Sequence, residues 1–270
     1  MSGSSITLVI AGLPIRLECE DTRLLERLAR RYADFLVSAT EGFSVKIDWQ
    51  LSGSQPDGCD YPPVAFVDGI LQLQRPDYRG EICLGDGRAR LAILTQRPEE
   101  DVDYFLRLAC ACLAFGAGGL MLHSAGIVRN DFAHIFFGKS GSGKTTVARL
   151  SVDGLVLNDD LVVLMPGSNG WLAHATPFTN ATQVPPHAAS APVAGLFRLV
   201  QDQKVYLDEM SRAAALAELI ASAPVVASDP HLAGELIERC KSLAEACPIY
   251  NLHFRKNPEF WQIIENRDQY

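Results

Sequence analysis

The sequence has no long apolar run: nothing in its 270 residues reaches the about 20 consecutive apolar positions that a membrane-spanning helix needs. It has no excess of positive charge. Lys and Arg number 24 against 32 Asp and Glu, a formal net charge of −8. That balance excludes the basic surface on which non-specific nucleic-acid binding depends. Metal-type cysteine spacing is also missing. The 7 cysteines (Cys19, Cys59, Cys83, Cys110, Cys112, Cys240, Cys247) are scattered, without a C-x-x-C or a Cys/His cluster. The closest pair, Cys110 and Cys112, sits in an apolar helical run. Free buried thiols in a reducing cytoplasm are therefore expected, not disulfides or a metal centre. Residues Met1 to Ser5 lack a cationic stretch followed by an apolar one, so no signal peptide is expected. No internal repeat or low-complexity tract is visible.

What is there suits a core of full size. Apolar residues make up 48% of the chain, and the length allows one large domain or two small ones. Runs at 5–10 and 14–19 read as strands joined by a turn at Gly12. An apolar stripe from Thr22 to about Val37, capped by Asp21 or Thr22, reads as a helix. Strand-like pieces follow at 44–51, 64–67, 70–74, 81–84 and 89–94, with a polar surface loop over 52–63. A helix from Glu99 to about Phe115 precedes the break Gly116–Gly119. The expected division is a small α+β unit over 1–95 and a larger α/β unit over 96–270.

Within the larger unit, Gly138-Lys139-Ser140-Gly141-Ser142-Gly143-Lys144-Thr145 follows the strand-like Ala133–Phe137 and precedes a helical pattern from Thr146. Strand, glycine-rich loop, lysine, hydroxyl and helix together are the setting of a phosphate-binding P-loop. Gly138, Gly141 and Gly143 let the backbone curl close to an anion without a clashing Cβ. Free N–H groups at a helix start suit that anion. Lys144 can reach the terminal phosphates, and the Thr145 hydroxyl can ligate Mg²⁺. An ordinary Gly/Ser linker would need neither Lys-Thr after its last glycine nor an aromatic strand before its first.

A second signal lies close behind. Leu155–Leu157 reads as a strand that runs into Asn158-Asp159-Asp160, and Leu161–Met165 follows as another. The two acids come fifteen and sixteen residues after Lys144. At neighbouring strand ends they would line one crevice. One can hold Mg²⁺ and the other can take a proton from an attacking hydroxyl. Asn-Asp-Asp is also common in plain polar turns.

Taken together these stretches resemble a known family. Leu122-His123-Ser124-Ala125-Gly126, the loop from Phe136 to Thr146, Asp159-Asp160 and His174-Ala175-Thr176-Pro177-Phe178 are similar to the HPr kinase/phosphorylase catalytic domain and the related phosphoenolpyruvate carboxykinase core. They look most like stand-alone bacterial HPr-kinase-like proteins, which include kinases of lasso precursor peptides. The likeness spans about 116–200, with a weaker echo at Cys247–Phe254. It implies a P-loop α/β kinase using ATP and Mg²⁺, with the acids as metal ligand and general base. Asp160 takes the metal more readily than Asp159 by this likeness, and the reverse pairing stays open. It also implies that His123 lies near the phosphates, where a core histidine is the alternative. The glycine- and asparagine-rich signature that follows the core of true HPr kinases has no copy here, so the resemblance does not extend to recognition of HPr or to the reverse reaction, and both stay open.

The expected catalytic residues are Asp159, Asp160, Lys144 and His123. The expected nucleotide-binding residues are Gly138, Ser140, Gly141, Ser142, Gly143, Lys144, Thr145 and Thr146, with Thr145 and Asp160 at the metal. Lys139 is expected to be solvated. Thr176 is a candidate substrate contact and Arg198 a weak candidate at the site, while His187, His231 and His253 have no partner pattern. The resulting expectation is a cytoplasmic kinase that transfers the γ-phosphate of Mg·ATP to a serine-type hydroxyl of a peptide or protein. Neither nucleic acid nor membrane is expected as a partner, and a homo-oligomer is left open. The alternatives are a non-catalytic ATP-binding partner of a biosynthetic complex, a small-molecule kinase and a simple ATPase.

Overall fold

The computed structural model describes residues 4–38, 41–52, 61–179 and 184–266. Cys59, most of the polar loop over 52–63, and residues 180–183 lie outside the described residues. The chain divides into two compact units, Met1–Gly116 and Ala117–Tyr270.

The first unit contains β1 (Ser4–Ile10), β2 (Leu13–Cys19), α1 (Thr22–Arg31), β3 (Leu36–Val37), β4 (Phe43–Gln50), β5 (Val64–Val67), β6 (Ile70–Arg75), β7 (Tyr78–Cys83), β8 (Arg88–Leu94) and α2 (Pro98–Gly116). Its sheet runs β3-β1-β2-β4-β8-β7-β6-β5. The β1–β2 turn is at Ala11 and Gly12, both with positive φ (54° and 76°), as a tight hairpin requires. Asp21 caps α1 by accepting from the Arg23 and Leu24 amides at 2.9 and 3.2 Å. The helix stops at Arg31, short of the expected Val37. Phe35 lies in a short 3₁₀ turn, and Leu36–Val37 leave the helix to pair with β1.

The unit boundary falls after Gly116 where the sequence suggested about 95, because α2 is bound to the first unit by charge and packing. The buried Asp103 carboxylate accepts from Arg31 Nε at 3.1 Å, Arg107 Nε at 2.9 Å and the Tyr32 hydroxyl at 3.1 Å. Arg27 pairs with Glu99. Gly80 on β7 has room only for hydrogen, since a Cβ there would lie 2.7 Å from the Phe105 ring.

The second unit contains β9 (Leu120–Arg129), β10 (Phe132–Phe137), α3 (Lys144–Leu150), β11 (Leu155–Asn158), β12 (Leu161–Gly167), β13 (Gly170–His174), β14 (Ser190–Gln201), β15 (Tyr206–Glu209), α4 (Arg212–Ala221), α5 (Ala233–Ala246), β16 (Ile249–Phe254) and α6 (Phe260–Asn266). Its sheet also has 8 strands, in the order β10-β9-β12-β13-β14-β16-β15, with β11 on β9 and a further β10–β14 pairing. The whole chain is thus a mixed α/β protein with two large sheets. A core of Phe136, Val147, Phe197, Leu252, Phe254, Phe260 and Trp261 fills the space between the sheet, α3 and α6. Trp261 Nε1 donates to Ser151 Oγ at 3.0 Å, so the buried indole is satisfied.

Strand β9 runs unbroken through Ser124, Ala125 and Gly126. Gly126 is no turn residue: a Cβ there would stand 3.0 Å from Val162 Cγ2. Its partner β10 follows through Asn130 and Asp131, both with positive φ (51° and 66°).

Candidate active site

The register of β9 assembles the site. On one side Ser124 pairs with Phe137, the last residue before the glycine-rich loop. On the other, His123 pairs with Leu161, the first residue after the acids. The Ser124 amide donates to the Asp160 carbonyl at 2.9 Å. Loop and acids therefore leave the sheet at the same level, flanking one strand. β11 and β12 both run antiparallel to β9, and Asp159-Asp160 interrupts what is otherwise one line of pairing, with a register shift between Val156 and Asn158. An interruption of this kind re-aims side chains out of the sheet.

Asn158 fixes the interruption. It is fully buried, and its Oδ1 accepts from the Asp160 and Leu161 amides at 2.7 and 2.9 Å. Its NH₂ group donates to the Thr176 and Phe178 carbonyls at 3.0 and 2.9 Å. All four of its bonding positions are used. The sequence reading passed over Asn158, although an asparagine ahead of two acids is a recognisable side-chain turn signal. Thr176, expected near substrate, is instead fully buried and donates from its hydroxyl to the Leu161 carbonyl at 2.7 Å. It is structural, holding the other end of the segment that Asn158 grips.

In the loop, Gly138, Gly141 and Gly143 have φ of 142°, 78° and 115°. Gly143 is the most constrained, since a Cβ would also meet Phe254 Cζ at 2.6 Å. The Gly141 carbonyl accepts from Gln201 Nε2 at 2.8 Å. Ser140 and Lys139 are exposed, and Thr145 and Thr146 half-buried. The Ser142 hydroxyl is buried with no partner among the described residues.

Lys144 is 7% exposed, and its Nζ donates to the Gly138 carbonyl at 3.0 Å. Burial pushes its pKa down, and the charges of Asp160 and then Asp159 oppose that shift. Asp159 is 1% exposed. Burial raises its pKa, a hydrogen bond with the Thr145 hydroxyl and the Val184 amide lower it, and the Asp160 charge raises it again. Its Oδ2 accepts from Val184 at 3.5 Å, while Oδ1 is buried and unpaired among the described residues. His123 Nε2 lies 3.0 Å from Asp160 Oδ1, and the imidazole is 44% exposed. The His123 amide donates to the Ser222 carbonyl at 2.7 Å, which ties β9 to the end of α4.

The structure thus brings Lys144, Thr145, Asp159, Asp160 and His123 together. Arg198 is held by Glu218 at 2.8 Å and Asn251 at 3.4 Å. His253, expected to lack partners, has Asp202 3.0 Å from Nδ1 and Asp208 2.8 Å from Nε2. Among the described residues no cluster of three or more His, Cys, Asp or Glu side chains forms a metal site, and no helix is long and apolar enough to cross a membrane. None of the six cysteines among the described residues is in a disulfide.

Comparison with known proteins adds little. No protein-family model matches the chain, and no curated protein matches it. Among solved structures, the HPr(Ser) kinase/phosphatase from Coxiella burnetii is 9% identical, over 55% of this chain and 96% of that one, with a TM-score of 0.32. So slight a likeness carries no weight for function.

Proposed function

We propose that the second unit is a P-loop kinase core that transfers the γ-phosphate of Mg·ATP to a serine-type hydroxyl of a peptide or protein. The observation that carries this reading is the convergence of Lys144 with Asp159 and Asp160 on either side of β9. Phosphoryl transfer asks for positioning, charge neutralisation and a base, and these residues can supply all three. Loop amides between Gly138 and Thr146 would receive the phosphates, and Lys144 would turn from the Gly138 carbonyl to the terminal group.

A hard divalent cation fits the oxygen donors present. Asp159 has a buried, unpaired Oδ1 and sits beside the Thr145 hydroxyl. One carboxylate and one hydroxyl, completed by phosphate oxygens and water, suit Mg²⁺. Bound there, Mg²⁺ would offset phosphate charge. This favours Asp159 with Thr145 at the metal, the reverse of the pairing that the family likeness gave. Asp160 is then the base, oriented by His123, and takes the proton from the acceptor hydroxyl. The exposure of His123 suits an acceptor arriving from solvent as part of a larger molecule. A modified-peptide precursor of the lasso type is the acceptor to try first.

The test is transfer from labelled ATP to candidate peptides. Asp159→Asn and Asp160→Asn should each cut transfer by about 10²-fold or more. If both variants leave it intact, the mechanism fails.

A further inference from the structure

Beside the loop lies a cavity of about 230 Å³, lined by Gly143, Thr146, Gln201, Asp202, Phe254, Arg255 and Lys256. None of His123, Asp159 or Asp160 lines it. Its floor is apolar: Phe254 is 2% exposed and packs under Gly143. Its rim is polar and mixed in sign. Gln201 spends its NH₂ group on the Gly141 carbonyl, and the amide oxygen remains an acceptor. Asp202 is fixed in place, with Oδ1 accepting from the Gln203 and Lys204 amides at 2.6 and 3.2 Å. Arg255 is anchored to Glu259 at 2.7 Å, and Lys256 is exposed and without an ion pair among the described residues. An apolar floor with a few fixed donors and acceptors is the chemistry of a small-molecule pocket.

We propose that this cavity receives the nucleoside half of the nucleotide. The inference rests on the kinase reading, which places the terminal phosphate at Lys144. The polyphosphate must then run along the loop towards Gly143 and Thr146, which line the cavity. Gln201 and Asp202 are acceptors for ribose hydroxyls or an exocyclic amine. The Arg255 guanidinium can lie against the face of a base.

The experiment uses the full chain with three probes: ATP, inorganic triphosphate and 8-azido-ATP. Photolabelling should fall on peptides containing 201–204 or 254–256 and be blocked by excess ATP. The Arg255→Ala/Lys256→Ala variant should weaken ATP binding about tenfold and leave triphosphate binding within about twofold. Label elsewhere, or an ATP-to-triphosphate affinity ratio unchanged in that variant, overturns the cavity assignment. Triphosphate binding that disappears in Lys144→Ala shows that the kinase reading survives such a failure. If neither ATP nor triphosphate binds the unaltered chain, both readings fall.

Discussion

Asp159 carries a cost that the fold would shed if it could. Its carboxyl is buried, and burial holds its pKa above the usual carboxylate range. A group whose pKa is raised on folding favours the folded state only while it is protonated, and that advantage is lost as pH rises through the folded pKa. At neutral pH the charge is therefore a burden. Asp159→Asn should raise the melting temperature at pH 7 while removing transfer, and the gain should vanish below about pH 4, where the unfolded-state carboxyl is also neutral. Thermal melts of both proteins across pH 3–8 check this, and an equal loss of stability at every pH would refute it. Asn158 behaves in the opposite way. Asn158→Ala strands two amides and two carbonyls in the interior, at a cost of about 2–4 kcal/mol. Urea midpoints should report the loss, and transfer should fall with it because the acids lose the side chain that sets their turn.

At the scale of elements, α2 is held by the Asp103 cluster as much as by its apolar face. Asp103→Ala leaves Arg31, Arg107 and the Tyr32 hydroxyl without their common acceptor. Because the two guanidinium groups keep some contact with water, the expected cost is about 2 kcal/mol, below that of a fully buried pair. A chemical denaturation curve should show this in the transition of the first unit. Much of the element plan was legible in the sequence. Strand-like runs marked β1, β2, β8 and others, Asp21 gave the start of α1, and the glycine-rich loop was placed between β10 and α3. Two features were hidden. The apolar stripe after Arg31 continues in helical spacing, but Leu36 and Val37 find a strand partner in β1, and no local pattern reports a distant partner. The reason for Gly126, crowding by Val162, comes from a residue 36 positions further on, out of reach of any local pattern. The acids and the lysine could be named from spacing, whereas their common level beside β9 is a matter of register and had to be seen.

For the whole molecule, each unit has its own sheet and its own buried side chains. A fragment starting at Ala117 keeps the loop, the acids, β9 and the cavity residues. It should fold alone and bind Mg·ATP within about threefold of the full chain, as titration calorimetry would measure. Loss of binding in a fragment whose circular dichroism remains native-like would mean that the first unit completes the site. The formal charge of −8 sets a further expectation at this scale. An acceptor with basic residues near its hydroxyl should be taken up faster at low salt, and added salt should slow it.

The seam that β9 provides has a consequence for how such a chain can change over time. Adding one residue between His123 and the hairpin at Asn130 would slide the lysine past the acids by a full pleat, about 3.3 Å, and turn every following side chain of that strand to the wrong side. Surface loops can lengthen or shorten freely, but along this one strand the count of residues is frozen, and substitution is the sole kind of drift it can survive.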